Sequence, residues 1–395
     1  MDEISKKTRL EVLAAKWLEG SISQDEREEF NEWFHSNLET SVAIKETFAS
    51  SREEHRLKIL SRIHKEIRRE HRPLIVRRLW LSAAAAVLLI MGGILCLHQM
   101  NLKKEQLLSE RYLNAIKPGT NKAVLTLGDG RQVVLSQTGQ QIFSQSGIKI
   151  LTDKNGRLKY EIKPMGVIPS SSAFNTITTP KGGQFELVLP DGSRVWLNAM
   201  SSIRFPVNLA FAARRRVETS GEVYFEVSRK ISTKHAATEG KEVPFHVISR
   251  GQSVEVLGTQ FNINSYPEEE FVKTTLLEGK VSISASGQRV ILIPGQQACV
   301  LPEKQSIGIR EIDSEEVMAW KNGLFMFDGQ DLQTILLQAA RWYDVEIEFR
   351  DPDLKRQKFK GSISRFENIR QLLEVLESTG SVHFKAEGRR ITAMK

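Results

Sequence analysis

The sequence predicts a multi-domain chain: a small all-α bundle, a single transmembrane helix, an all-β sandwich or roll, and a small C-terminal α+β domain. Three patterns predict it. Residues 79–97 carry no charged side chain, and at about 1.5 Å per residue such a helix covers the roughly 30 Å core of a bilayer. From Ala123 onward apolar residues alternate with period two between Gly, Pro, Asn and Asp breaks, the mark of short antiparallel strands. Between 324 and 393 two strand–helix–strand patterns follow one another, which is α+β grammar.

In chain order, residues 1–75 read as the helical domain. Leu10, Leu13, Ala14, Trp17 and Leu18 recur at helical spacing and Gly20 stops the helix. Ser23 and Glu26 have the spacing of a capping box, and Phe30, Trp33 and Phe34 line the helix that it opens. A short segment around Val42, Ile44 and Phe48 precedes an amphipathic helix through Leu57, Leu60, Ile63 and Ile67. Charge divides this part sharply. Residues 1–54 hold seven Lys/Arg against thirteen Asp/Glu, whereas 55–78 hold nine against two. The chain's net charge of +8 and pI near 9.3 therefore come with a basic block beside the apolar run, as a membrane surface attracts. Direct nucleic-acid binding is not expected. Arg68, Arg69, Arg72, Arg77 and Arg78 set the orientation of the expected span at 79–98, leaving the N-terminus cytoplasmic.

Residues 101–120 read as a linker helix and 121–310 as the β region. Two segments share the pattern Leu-x-Asp-Gly-x-x-Val-x-Leu, at 127–135 and 189–197. Asp129-Gly130 and Asp191-Gly192 are the turns of two repeated hairpins. Further strands are expected at 203–205, 216–219, 222–227, 245–248, 254–257, 260–264, 274–277, 280–284 and 290–293, with a polar insertion at 229–243. Residues 315–395 read as the α+β domain, with helices at 332–343 and 369–378. Cys96 and Cys299 are the only cysteines, and no disulfide between them is expected.

The motif chemistry is negative. No Gly-rich phosphate loop, His-Glu-x-x-His pair, Gly-x-Ser-x-Gly elbow or Cys-x-x-Cys occurs. No enzyme, metal site or cofactor is expected on these residues.

The ordered segments TPKGGQFELVLPDGSRVWLNAMSSIRFP (179–206), GEVYFEV (221–227), PFHV (244–247), VEVLGTQFNIN (254–264), TLLEGKV (275–281) and PGQQA (294–298) resemble the signature of FecR-type transmembrane sigma regulators. They place its core at 179–284. WKNGLF (320–325) and RWYDV (341–345) are similar to the extra C-terminal domain of one branch of that family, and residues 13–34 to its cytoplasmic helical module. The resemblance implies an anti-sigma factor of a cell-surface signalling system. Its inner helices would hold an extracytoplasmic-function sigma factor through Leu13, Trp17, Leu18, Phe30, Trp33 and Phe34. A TonB-dependent outer-membrane transporter would signal to its periplasmic part through the transporter's signalling domain. Intramembrane and periplasmic proteases would then free the sigma-bound piece. The implied location is the bacterial inner membrane, single-pass, in contact with membrane lipid, with the C-terminus periplasmic. The implied C-terminal fold is similar to the short N-terminal fold of secretins and TonB-dependent transporters.

Gly258-Thr259 matches the pair at which some family members cleave themselves by an N-to-O acyl shift, a single-turnover event. The same residues also suit a β-bulge. A reading of another class is a membrane-anchored glycan- or peptidoglycan-binding module. It requires Trp196, Trp320 and Trp342 to line an exposed groove.

Overall fold

The computed structural model describes residues 3–36, 51–70, 72–136, 142–145, 148–152, 158–162, 173–212, 214–231, 240–304 and 306–395. The chain forms two compact units, 1–100 and 101–395.

The first unit is helical: α1 (Glu3–Glu19), α2 (Gln24–Ser36), α3 (Arg52–Glu70) and the first part of α4 (Arg72–Ala115). Gly20 takes a left-handed conformation, φ +75°, and ends α1. The expected capping box forms: Ser23 N donates to Glu26 Oε2 at 3.1 Å, and Glu26 N to Ser23 Oγ at 3.4 Å. The segment around Val42, Ile44 and Phe48 lies outside the described residues.

The single transmembrane helix expected over 79–98 is corrected. Although α4 runs through these positions, no helix is long and apolar enough to cross a membrane among the described residues. The apolar run of 79–97 is a middle part of α4, which continues as helix on both sides of it. Lys103, Lys104 and Glu105 follow it in the same helix. The side chains of the orienting arginines, Arg68, Arg69, Arg72, Arg77 and Arg78, lie outside the described residues. The expected linker helix at 101–120 is the continuation of α4 rather than a separate element.

In the second unit a β region comes first. Its opening strands are β1 (Thr120–Thr126), β2 (Gln132–Ser136), β3 (Ile142–Gln145), β4 (Ile148–Thr152) and β5 (Leu158–Ile162). Then come β6 (Phe174–Thr178), β7 (Gly183–Val188), β8 (Arg194–Leu197), β9 (Ser202–Pro206) and β10 (Arg215–Glu226). The rest are β11 (Phe245–Ser249), β12 (Gln252–Val256), β13 (Gln260–Ser265), β14 (Val272–Glu278), β15 (Val281–Ala285), β16 (Gln288–Leu292), β17 (Gln296–Leu301) and β18 (Ser306–Glu311).

These strands make two layers. One runs β2-β1-β6-β9-β10-β11-β12-β15-β16. The other runs β3-β4-β5-β7-β8-β10-β13-β14-β17-β18. The shared strand, β10, joins them into one continuous, barrel-like sheet. Residues 215–220 of β10 pair in the first layer and 221–226 in the second. The sequence suggested two strands broken near Gly221. Instead Gly221, at φ +79°, turns a single strand from layer to layer. A Cβ there would stand 2.5 Å from Ser201 Oγ and 2.7 Å from Met200 O, so only glycine fits. Inward residues such as Leu125, Leu187, Phe225, Phe261 and Ile283 are fully buried between the layers.

The chain ends with α5 (Ser314–Met318), β19 (Leu324–Asp331), α6 (Leu332–Tyr343), β20 (Glu346–Phe349), β21 (Lys358–Ser364), α7 (Ile369–Glu377), β22 (His383–Glu387) and β23 (Arg390–Met394). β19 pairs with β21, and β20-β23-β22 form a three-stranded sheet. Asp331 and Asn368 cap α6 and α7, accepting from Thr334 N at 2.8 Å and Arg370 N at 2.9 Å. The helices bury Leu336, Trp342, Leu372 and Leu376 in a second core, which Leu113 and Ile116 join from the α4 end and Ala199 from the β region.

Candidate functional site

The repeated hairpins share a hydrogen-bond set. Leu127 N donates to Arg131 O and Gly130 N to Leu127 O; Leu189 N donates to Ser193 O and Gly192 N to Leu189 O. Each Asp side chain accepts from the amide two residues on, Asp129 Oδ1 at 3.0 Å and Asp191 Oδ1 at 3.1 Å. The copies then diverge. Asp129 pairs with exposed Arg131, whereas Asp191 pairs with Arg215 at 2.9 Å and both side chains are fully buried. Arg215 also donates to the carbonyls of Ser228 at 2.7 Å, Val243 at 2.7 Å and Leu257 at 3.4 Å.

Leu257 leads into Gly258-Thr259, which borders a shallow cleft with Arg194, Glu226, Arg229 and Glu278. Thr259 is buried, and its hydroxyl donates to Lys280 O at 3.1 Å. A Cβ on Gly258 would lie 2.1 Å from Arg229 Cγ. The register irregularity expected here falls two residues later, at Gln260/Phe261. Residues 232–239 of the polar insertion lie outside the described residues.

A buried polar cluster joins the β region to the C-terminal region. Arg365, 2% exposed, donates from Nη1 to Trp320 O and from Nη2 to Asn198 Oδ1, both at 2.8 Å. Asn198 Nδ2 donates to Glu222 Oε2 at 2.7 Å, and Asn262 Nδ2 to Glu222 Oε1 at 3.1 Å. Asn198 thus bridges the guanidinium to the carboxylate. Arg365 stacks 4.0 Å from the Trp342 ring, whose indole N–H returns a 2.7 Å bond to Arg365 O. Burial pushes Glu222 above the usual carboxylate range, against the two amide bonds that lower it. Burial brings the Arg365 guanidinium down to about 10.

Arg341 of α6 makes the second contact of this joint. It donates to Glu268 at 2.7 Å and Glu269 at 3.0 Å and lies 3.7 Å from the Tyr266 ring. Burial pushes Glu269 up, but Lys273 and Arg341 outweigh it and hold the carboxyl below its usual value. The loop bearing these acids hangs on Arg250, which donates to the carbonyls of Tyr266, Pro267, Glu269 and Glu270. Gly119 completes the seam: a Cβ there would stand 2.6 Å from the Trp342 ring.

In the first unit the named aromatic residues do assemble. Trp17 stacks on Phe30 and Phe30 on Trp33, each at 6.2 Å between ring centres. Leu13 is fully buried beside them; Leu18, Phe30 and Trp33 are half-buried, and Trp17 and Phe34 exposed. Lys16–Glu26 at 2.6 Å and Arg9–Glu29 at 3.1 Å fasten α1 to α2. The Lys16 bond holds Glu26 down at about 2.

The groove that a glycan-binding module requires does not form. Trp342 is fully buried and Trp320 is 9% exposed, while Trp196 lies between Arg194 at 4.5 Å and Lys321 at 4.4 Å. Among the described residues no group of acidic, His or Cys side chains could hold a metal ion.

Of the joint residues, sequence reasoning named only Trp320 and Trp342, and for a groove that does not form. Glu222, Asn198 and Arg341 lie inside the quoted motifs, so their neighbourhood was visible but not their role. Arg365, between Ser364 and Phe366, carries no local signal.

Two family models match in order: FecR protein over 175–282 and FecR, C-terminal over 324–393. Two crystal structures described as a "putative anti-sigma factor" from Parabacteroides distasonis ATCC 8503 are 27% and 28% identical to the chain. Each covers 56% of this chain, and 98% and 99% of their own chains align, with a TM-score of 0.49 in both. No curated protein matches. The chain therefore carries a FecR domain at 175–282 followed by a FecR C-terminal domain at 324–393.

Proposed function

We propose that this protein is a FecR-type anti-sigma factor whose α1–α2 pair holds an extracytoplasmic-function sigma factor. The observation that carries the reading is the Trp17–Phe30–Trp33 stack, in which Phe30 and Trp33 are half-buried and Trp17 is exposed, while Leu13 of α1 is fully buried. Aromatic residues on a small rigid scaffold are the usual anchors of an interface. The acidic excess of residues 1–54 suits basic surfaces of the partner. In this reading the second unit receives the signal of a TonB-dependent transporter through the transporter's signalling domain, and proteases act afterwards.

The test is co-purification of the full chain with each extracytoplasmic-function sigma factor of its host. One or two are expected to bind, and Trp33→Ala is expected to weaken binding by about 2 kcal/mol, roughly 30-fold. No complex with any sigma factor, or a Trp33→Ala chain that binds unchanged, would refute the reading.

The Gly258–Thr259 bond is proposed as a self-cleavage site. The Thr259 hydroxyl oxygen attacks the Gly258 carbonyl, the C–N bond breaks, and the amine is freed as an ester forms. Water then opens the ester to a Gly258 carboxylate. The crowding of Gly258 against Arg229 and the fixed Thr259 hydroxyl support it. Intact-mass analysis of purified chain is expected to show two fragments meeting at this bond, and a single species for Thr259→Ala. A wild-type chain that stays whole sinks the idea.

A further inference from the structure

β22 is an edge strand that pairs with β23 alone. Every second amide on its outer side therefore has no strand to meet. Those amides, Phe384 N and Ala386 N, are taken by side chains instead. Phe384 N donates to Glu377 Oε1 of α7 at 2.6 Å, and Ala386 N to Ser109 Oγ of α4 at 2.8 Å. Between them Lys385 places its ammonium 3.1 Å from Glu105 of α4 and 3.2 Å from Glu387. Asn368 adds a 3.4 Å bond to Asn114 O, and Leu113 and Ile116 are buried below. The end of α4 thus lies across the outer edge of a strand 277 residues further along the chain.

We propose that this edge of β22 is a docking surface for an extended strand of a partner protein, with residues 105–115 of α4 as its removable cover. Outward amides two residues apart are what the carbonyls of an added antiparallel strand would meet. A carboxylate and a hydroxyl now stand in for those carbonyls. The cover's hold on Lys385 is a largely exposed ion pair, a weak contact in water. Charge selects the occupant: an acidic residue facing Lys385 replaces Glu105. A second copy of this chain, paired so that Phe384 and Ala386 exchange bonds, would set Lys385 against Lys385, which repels. Cover and added strand compete for one edge, so whatever favours the strand releases α4 by the same factor. The surface is separate from α1–α2 and does not depend on the sigma-factor reading.

The test uses the full chain and two fluorescent seven-residue peptides of alternating Thr and Val, one with a central Glu and one with a central Lys. The Glu peptide is expected to bind at least tenfold tighter. It should bind at least tenfold tighter again to a Glu105→Ala/Ser109→Ala chain, and slow hydrogen exchange at Phe384 and Ala386. Glu105→Ala alone, which removes only the exposed pair, serves if the double variant does not fold. Equal binding of the two peptides, no gain on weakening the cover, or dimerisation of the variant in place of peptide binding would each overturn the proposal.

Discussion

Truncating Arg365 to Ala removes two hydrogen bonds from a charged donor at once, to Trp320 O and Asn198 Oδ1, each 2.8 Å long. Such bonds contribute about 1.5–3 kcal/mol each, and the stacking on Trp342 at 4.0 Å goes with them. Against that, the variant no longer buries a cation whose Nε has no partner among the described residues. The net expected loss is about 3–5 kcal/mol, in the range found when one member of a buried charged network is removed. Urea unfolding of the full chain, followed by circular dichroism, measures it. A cycle with Asn198→Ala separates coupling from local damage, because the two residues are 167 positions apart and meet only through this bond. A coupling of about 1–3 kcal/mol is expected. The C-terminal domain should also unfold ahead of the FecR domain in Arg365→Ala. A loss under about 1 kcal/mol, or strict additivity, would refute the claim that Arg365 holds the two domains together.

Glu222→Gln tests the acid beside it. Burial raises the folded pKa of Glu222, so its contribution to stability is fully present below the unfolded pKa and is lost as pH rises through the folded one. The Gln chain should lose less stability than wild type as pH rises above the ordinary Glu pKa of about 4.3; parallel pH profiles would contradict this. The repeated hairpins supply an internal control. Asp191→Asn is expected to cost about 3–5 kcal/mol because it strands buried Arg215. Asp129→Asn, in the same turn but paired to an exposed arginine, should cost under about 1 kcal/mol. Equal costs in urea unfolding would show that the buried pair contributes nothing beyond the turn.

Local pattern carried much of the fold. The helix expected at 332–343 is α6 to the residue, because Asp331 caps it and its apolar residues repeat on one face. The capping box at Ser23 and both Asp-Gly turns were legible for the same reason: each needs only neighbouring residues. Strands β3 to β6, β17 and β18 are absent from the sequence reading; β18 is a mostly exposed edge with little alternation. The break read at Gly221 was a glycine signal given the wrong meaning, because a layer crossing needs positive φ as much as a turn does. The expected membrane span rested on the length of the uncharged run and on the basic residues before it. The structure carries the apolar run within the longer helix α4, an extent that the composition of one stretch does not report. The aromatic face of α1–α2 was named from periodicity, whereas the joint was not. Its partners lie far apart in sequence, and buried arginines look like surface residues in a linear reading.

Those arginines share a task that the cysteine count makes necessary. The two cysteines, exposed Cys96 and half-buried Cys299, are both free, so no disulfide fastens the loops between strands. Arg215 gathers Asp191 and the carbonyls of Ser228, Val243 and Leu257. Arg250 gathers four carbonyls of the 266–270 loop. Arg365 gathers Trp320 O and Asn198. A planar guanidinium with five donors can satisfy several loop carbonyls from one buried point, which a lysine ammonium cannot match in geometry. The loop that Arg250 fixes presents Glu268 and Glu269 to Arg341, so one cluster shapes the surface that the next one uses. Order passes in this way from the FecR core to the seam and on to the C-terminal domain, where Leu113 of α4 and Ile116 just after it are packed. A disturbance at the C-terminal domain therefore has two physical routes out of it: through Arg341 and Arg365 into the β layers, and through Ser109 and Glu105 into α4.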